Sequence, residues 1–158
     1  MNPLIEKQGR RDFCVRLASA AAFTGGIALL PGCSGGGGNG AGSIPGSPLP
    51  QVSGTLSGSA VAVSIAAGSP LATTGGKALV SSPAGVFLVT RTGDTAFVAV
   101  TAQCTHEACV VSSATGSTYV CPCHGSEFDM SGHVVVGPAS VALRQFQTQF
   151  ANNVLTIS

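Results

Sequence analysis

From residue 51 to the end, apolar residues come in short runs broken by Gly, Pro and Ser. That pattern predicts short strands, and no stretch there has helical periodicity. The predicted strands are Val61–Ile65, Lys77–Val80, Val86–Thr90, Ala96–Thr101, Tyr119–Cys121, Val134–Val136, Leu143–Phe150 and Val154–Ile157. In the seventh, Phe146, Thr148 and Phe150 alternate with Gln145, Gln147 and Gln149, as in a half-buried strand. Hairpin turns are expected at Arg91–Thr95 and at Asn152–Asn153. The fold class predicted for 51–158 is all-β, with antiparallel sheets.

The first fifty residues read differently. Arg10 and Arg11 precede an apolar stretch from Leu17 to Leu30, the pattern of a secretory signal. With Phe13 following, the arginine pair resembles the twin-arginine export class, a route for proteins exported already folded. Leu30-Pro31-Gly32-Cys33 resembles a bacterial lipobox, which would make Cys33 a lipidated residue. The apolar run is short and interrupted by Gly25 and Gly26, which argues against a retained membrane span. Residues 34–50, rich in Gly, Ser and Pro, read as a flexible tether. The expected organisation is therefore an export segment over 1–33, a tether over 34–50 and one domain over 51–158.

Composition narrows the function classes. Only 8% of residues are charged and the formal net charge is +1. The basic excess sits at the start, in Lys7, Arg10, Arg11 and Arg16. Without a basic stripe in the domain, nucleic-acid binding has no electrostatic support. No nucleophile–base pair and no phosphate-cradling glycine loop is evident, so no catalytic residue is assigned.

The chemistry concentrates in Cys104-Thr105-His106-Glu107-Ala108-Cys109 and Cys121-Pro122-Cys123-His124-Gly125-Ser126. In an extended run, Cys104 and His106 would point the same way. Between Pro122 and Gly125 a turn is expected, converging Cys121 and His124. Two such loops facing each other make a Cys2His2 pocket. On residue types alone, a tetrahedral zinc site fits, as does a disulfide framework, for which six cysteines allow fifteen pairings.

The double motif resembles the Rieske iron–sulfur family, and the resemblance spans roughly 51–158. It implies a Rieske-type β domain with a two-loop cluster-binding subdomain and one [2Fe–2S] cluster. Cys104 and Cys121 would then bind one iron, and His106 and His124 the other. Cys109 and Cys123 match the family's disulfide, Ser126 its serine donor to a bridging sulfide, and Gly137-Pro138-Ala139-Ser140 its proline loop over the cluster. Phe128 stands where high-potential members carry a Tyr, which implies a lower potential. Glu107-Ala108 replaces the Leu-Gly common in quinol-oxidising members. Asp129 reads as a turn-capping residue and His133 as a solvated loop histidine.

The function this implies is membrane-tethered electron transfer on the extracytoplasmic, periplasmic side of a bacterial inner membrane. One form is the iron–sulfur subunit of a cytochrome bc-type quinol-oxidising complex. The alternatives are the Rieske subunit of an exported molybdenum oxidase of the arsenite oxidase type and a non-redox zinc-binding module. Expected partners are a cytochrome b or c type protein or a molybdoenzyme, quinol, and the membrane through the N-terminal anchor, but no nucleic acid.

Overall fold

The computed structural model describes residues 46–158. The export segment, Cys33 and residues 34–45 of the tether lie outside the described residues. Fourteen strands follow in chain order: β1 (Ser47–Pro48), β2 (Gln51–Ser53), β3 (Thr55–Ser57), β4 (Ala60–Ser64), β5 (Lys77–Ser82), β6 (Gly85–Arg91) and β7 (Phe97–Thr101), then β8 (Ser113–Thr115), β9 (Thr118–Val120), β10 (Glu127–Asp129), β11 (Val134–Val136), β12 (Gln145–Phe146), β13 (Thr148–Ala151) and β14 (Val154–Ile157). They build three sheets, ordered β1-β8-β9-β10-β11, β12-β7-β6-β5-β2 and β13-β14-β4-β3. The all-β expectation is met. Pairing is antiparallel except between β2 and β5, which run parallel.

The central sheet explains why its strands are apolar at nearly every position. Ala78, Val80, Phe87, Val89, Phe97 and Ala99 face one core, shared with Val61, Val63, Leu155 and Ile157. The alternate residues Leu79, Leu88 and Val100 face a second core with Tyr119, Phe128 and Leu143. A strand whose side chains alternate between two dry faces loses the polar half of its pattern. β6 is the clearest case: Phe87, Leu88, Val89 and Thr90 are consecutive and all buried.

Three local expectations are revised. Leu143–Phe150 is not one strand but β12 and β13, because Gln147 leaves the ladder to pair its backbone with Ser158 instead. Asp129, read as a turn-capping residue, ends a strand not expected there, β10, which pairs with both β9 and β11; the residues after it turn. Chain within the expected tether is also ordered: β1 pairs with β8, and Leu49 is buried with its amide on the Ser112 carbonyl. The hairpin at Asn152–Asn153 is as expected, both residues lying at positive φ (52° and 60°) as a two-residue I′-type turn requires. Among the described residues, no helix is long and apolar enough to cross a membrane.

Candidate metal centre

The two motif loops leave the second core side by side and share one backbone design. Cys104 N–H donates to the Cys109 carbonyl (2.8 Å), and Cys121 N–H donates to the Ser126 carbonyl (2.8 Å). Within each, the fifth residue's amide returns to the first residue's carbonyl: Ala108 to Cys104 at 2.9 Å, Gly125 to Cys121 at 3.0 Å. Both fifth residues are left-handed, Ala108 at φ 57° and Gly125 at φ 73°. The extended conformation expected at Cys104–His106 is therefore replaced by a turn, closed by these two bonds. C-x-H and C-x-x-H are two settings of one six-residue turn.

That shared turn separates the side chains by type. Cys104 and Cys121, at the first position, are 3% and 1% exposed, and both thiols are free. Burial pushes the Cys121 thiol up; the backbone amides of Cys123 and His124 draw it down, and the neighbouring Cys104 thiol adds to the rise. His106 and His124 sit outside, exposed, with ring centroids 5.0 Å apart and nearly perpendicular. Glu107, whose side chain is 60% exposed, brings Oε2 to 3.8 Å from His124 Nδ1. Cys109 and Cys123 are joined in a disulfide between the turns, with Cα atoms 6.5 Å apart.

The surrounding segments hold the pair in place. Ser126, fully buried, accepts the Ala139 amide at its Oγ (3.0 Å). Among the described residues its own hydroxyl proton has no protein acceptor. The segment following β11 thus closes over the second turn, and Thr105 ties it to the first by donating to the Val141 carbonyl at 2.6 Å. The segment that makes these contacts includes Gly137–Ser140, read by resemblance as a loop over the centre; the particular ties through Thr105 and the Ala139 amide had no signal in the sequence. Phe128 is fully buried in the core that contains Cys104 and Cys121. The Tyr119 hydroxyl is bonded to Thr90, away from the turns, and burial pushes its pKa up to about 12. Asp129 Oδ1 accepts the amides of Ser131 (2.8 Å) and His133 (2.9 Å), a turn-capping role.

The donor set suits a [2Fe–2S] group better than an ordinary hydrogen-bonded core. Two buried free thiols and two exposed imidazoles lie in the two adjacent turns. The fully buried Ser126, last residue of the second turn, adds a hydroxyl that can still donate. His106, Glu107 and His124 also place one ligand atom each within 4.8 Å of one another.

Comparisons with known proteins agree on the family. The family model described as "Rieske [2Fe-2S] domain" matches residues 62–147. A cytochrome b6-f complex iron-sulfur subunit of Prochlorococcus marinus (strain MIT 9515) is 44% identical over 57 residues, 35% of this chain and 32% of that protein. Another, from Chlorobaculum thiosulfatiphilum, is 34% identical over 74 residues, 46% of this chain and 40% of that protein. The chain thus spans two fifths or less of the length of these curated relatives. Among solved structures, the plasma membrane Rieske protein PetC3 from Synechocystis PCC 6803 is similar at 33% identity and a TM-score of 0.46, covering 52% of this chain and 86% of that one.

Proposed function

The chain belongs to the Rieske [2Fe-2S] domain family, and on that premise we propose that it is a one-electron carrier tethered outside the cytoplasmic membrane, serving a cytochrome complex. The observation that carries this is the sorting of ligands by the twin turns: thiols inside, imidazoles at the surface. In this reading Cys104 and Cys121 hold the inner iron, and His106 and His124 hold the outer one. When bound, the cluster supplies a one-electron couple, with a potential raised by its two neutral imidazole ligands. Everything else is done by the protein. The buried cysteines and Phe128 exclude water from the thiol side, the buried Ser126 hydroxyl would be the donor available to a cluster sulfur, and the exposed histidine edges would face a partner. The disulfide and the Thr105 and Ala139 hydrogen bonds keep the two halves in register.

The curated relatives, as cytochrome b6-f complex subunits, support a cytochrome complex as partner. The tether rests on sequence pattern alone: the twin-arginine-like start and Cys33 as the lipid attachment residue. Cys33→Ser should release the protein from membranes. The cluster assignment is tested on purified full-length protein by iron and acid-labile sulfide analysis, the visible spectrum, and electron paramagnetic resonance after reduction. Two iron and two sulfide per chain with a signal on reduction are expected; colourless, zinc-loaded protein would refute it.

A further inference from the structure

The histidine edge has a carboxylate beside it, Glu107 Oε2 lying 3.8 Å from His124 Nδ1. Between Ala102 and Leu143 the chain carries Glu107, Glu127 and Asp129 and neither Lys nor Arg. Of the cations among the described residues, Lys77 lies in β5 and Arg91 in β6, while Arg144 lies just before β12. Arg91 is committed there, donating to the carbonyls of Leu71, Ala72, Gly93 and Asp94 and lying against Phe97 and Phe150. Arg144, the nearest to the tip in the fold, is packed over Phe146 at 4.8 Å and borders an open cavity of about 340 Å³ beside Cys104 and Thr105.

Glu107 is the acidic group that stands at the histidine edge itself. The shared turn explains its place: it is the fourth residue of the first turn, the position His124 fills in the second. The carboxylate is therefore presented as the second imidazole is, outward. Beside it Val141 is 62% exposed, and Ala108, Pro122 and Pro138 are exposed too. A small apolar centre rimmed by charge is the ordinary make-up of a transient protein interface. Entry of this tip into an apolar pocket would strand the carboxylate without a partner, which is costly.

We propose that the histidine tip docks a basic redox protein, with Glu107 meeting a lysine or arginine of that partner beside the imidazole edges. This rests on the electron-carrier reading above and names the partner's chemistry. The electrostatic gain is in encounter rate and orientation, and it fades with salt.

Small oxidants of opposite charge test it. The reduced full-length protein is mixed at low ionic strength with tris(phenanthroline)cobalt(III), a cation, or with ferricyanide, an anion. One electron leaves the protein for each ion, reducing cobalt(III) to cobalt(II) or the iron of ferricyanide from iron(III) to iron(II); no bond is made or broken. Glu107→Gln should slow the cation about three-fold and speed the anion about three-fold, shifting their rate ratio about ten-fold, with the shift gone in high salt. Asp94→Asn, in the hairpin at the opposite end of β7 from the first turn, should leave the ratio unchanged. Binding of the oxidised protein to a poly-lysine film, which needs no cluster, should weaken with Glu107→Gln and hold with Asp94→Asn. An unmoved ratio in Glu107→Gln, or an equal shift in Asp94→Asn, overturns the proposal. If no reducible centre forms at all, the electron-carrier reading fails instead, and the film still reports on the surface.

Discussion

The two turns have nearly the same backbone but do not carry the same residues, and their differences divide the labour. The first position is Cys in both, buried in both. The imidazole comes third in one and fourth in the other, so the two rings approach from different angles and meet edge to face. The sixth position is Cys109 in the first turn and Ser126 in the second. One is spent on a covalent tie to the neighbour, the other on a buried hydroxyl that accepts the Ala139 amide. Nearly identical backbones thus bring two buried thiols and two exposed imidazoles together while their support is unsymmetrical. The first turn depends on the second through the disulfide, and the second depends on the segment after β11 through Ser126.

Removing each support sharpens that contrast. The double change Cys109→Ser and Cys123→Ser opens a loop closed over 14 residues and should cost about 3 kcal/mol in the chain-entropy model. Chemical denaturation measures it, and loss of the visible bands should precede global unfolding. Ser126→Ala comes next. It leaves the buried Ala139 amide without its acceptor, a penalty of about 1–3 kcal/mol, and withdraws the hydroxyl proton from the centre. Both stability and midpoint potential should fall, whereas loss of the disulfide should act mainly on stability.

Phe128→Tyr acts from the strand leaving the second turn. A hydroxyl that reached a cysteine sulfur would favour the reduced form by about 1 kcal/mol, or about 40 mV for one electron. Protein-film voltammetry should show the rise; an unchanged or lowered potential would mean the hydroxyl points elsewhere in the fully buried site. Asp129 caps the turn that follows β10. Its burial works to raise the carboxyl pKa, but the His133 and Ser131 amides and the His133 ring together hold it below its ordinary 3.8. A depressed carboxyl contributes stability above that value and loses it as pH falls through the folded pKa. Asp129→Asn should therefore lower stability slightly at neutral pH and leave it unchanged in strong acid, in denaturation curves taken at both.

How much of this was legible follows from what kind of pattern each part leaves. Strands β4–β7 and β14 were legible because runs such as Val86–Thr90 are long and apolar. The two-residue β1 and the three-residue β2, β3 and β8 were not, since they are short and mostly polar, whereas the equally short β9 and β11 showed through the apolar Tyr119–Cys121 and Val134–Val136. β10 hid because Glu127 and Asp129 flank its one buried residue, Phe128, and so resembled a turn. The family and fold class were legible from the spacing of Cys and His, which is local. The identical closure of the two turns was not, because C-x-H and C-x-x-H look unrelated until the hydrogen bonds to Cys109 and Ser126 are seen.

The smallest effect tests the symmetry of the turns most directly. If the two share one conformation, their fifth residues face the same steric demand, and only one of them meets it without strain. Gly125 at φ 73° has no Cβ to clash with its carbonyl, whereas Ala108 at φ 57° has one. An L-residue there costs about 1–2 kcal/mol, partly offset because Ala also restricts the unfolded chain more than Gly does. Ala108→Gly should then stabilise the protein by about 0.5 kcal/mol, read as a higher denaturation midpoint with an unchanged slope. The reverse change, Gly125→Ala, meets no atom within 4 Å of an added Cβ, so its cost should be the backbone strain alone. Opposite signs for the two substitutions would establish that one turn, used twice, builds the centre; equal signs would mean that the turns only look alike.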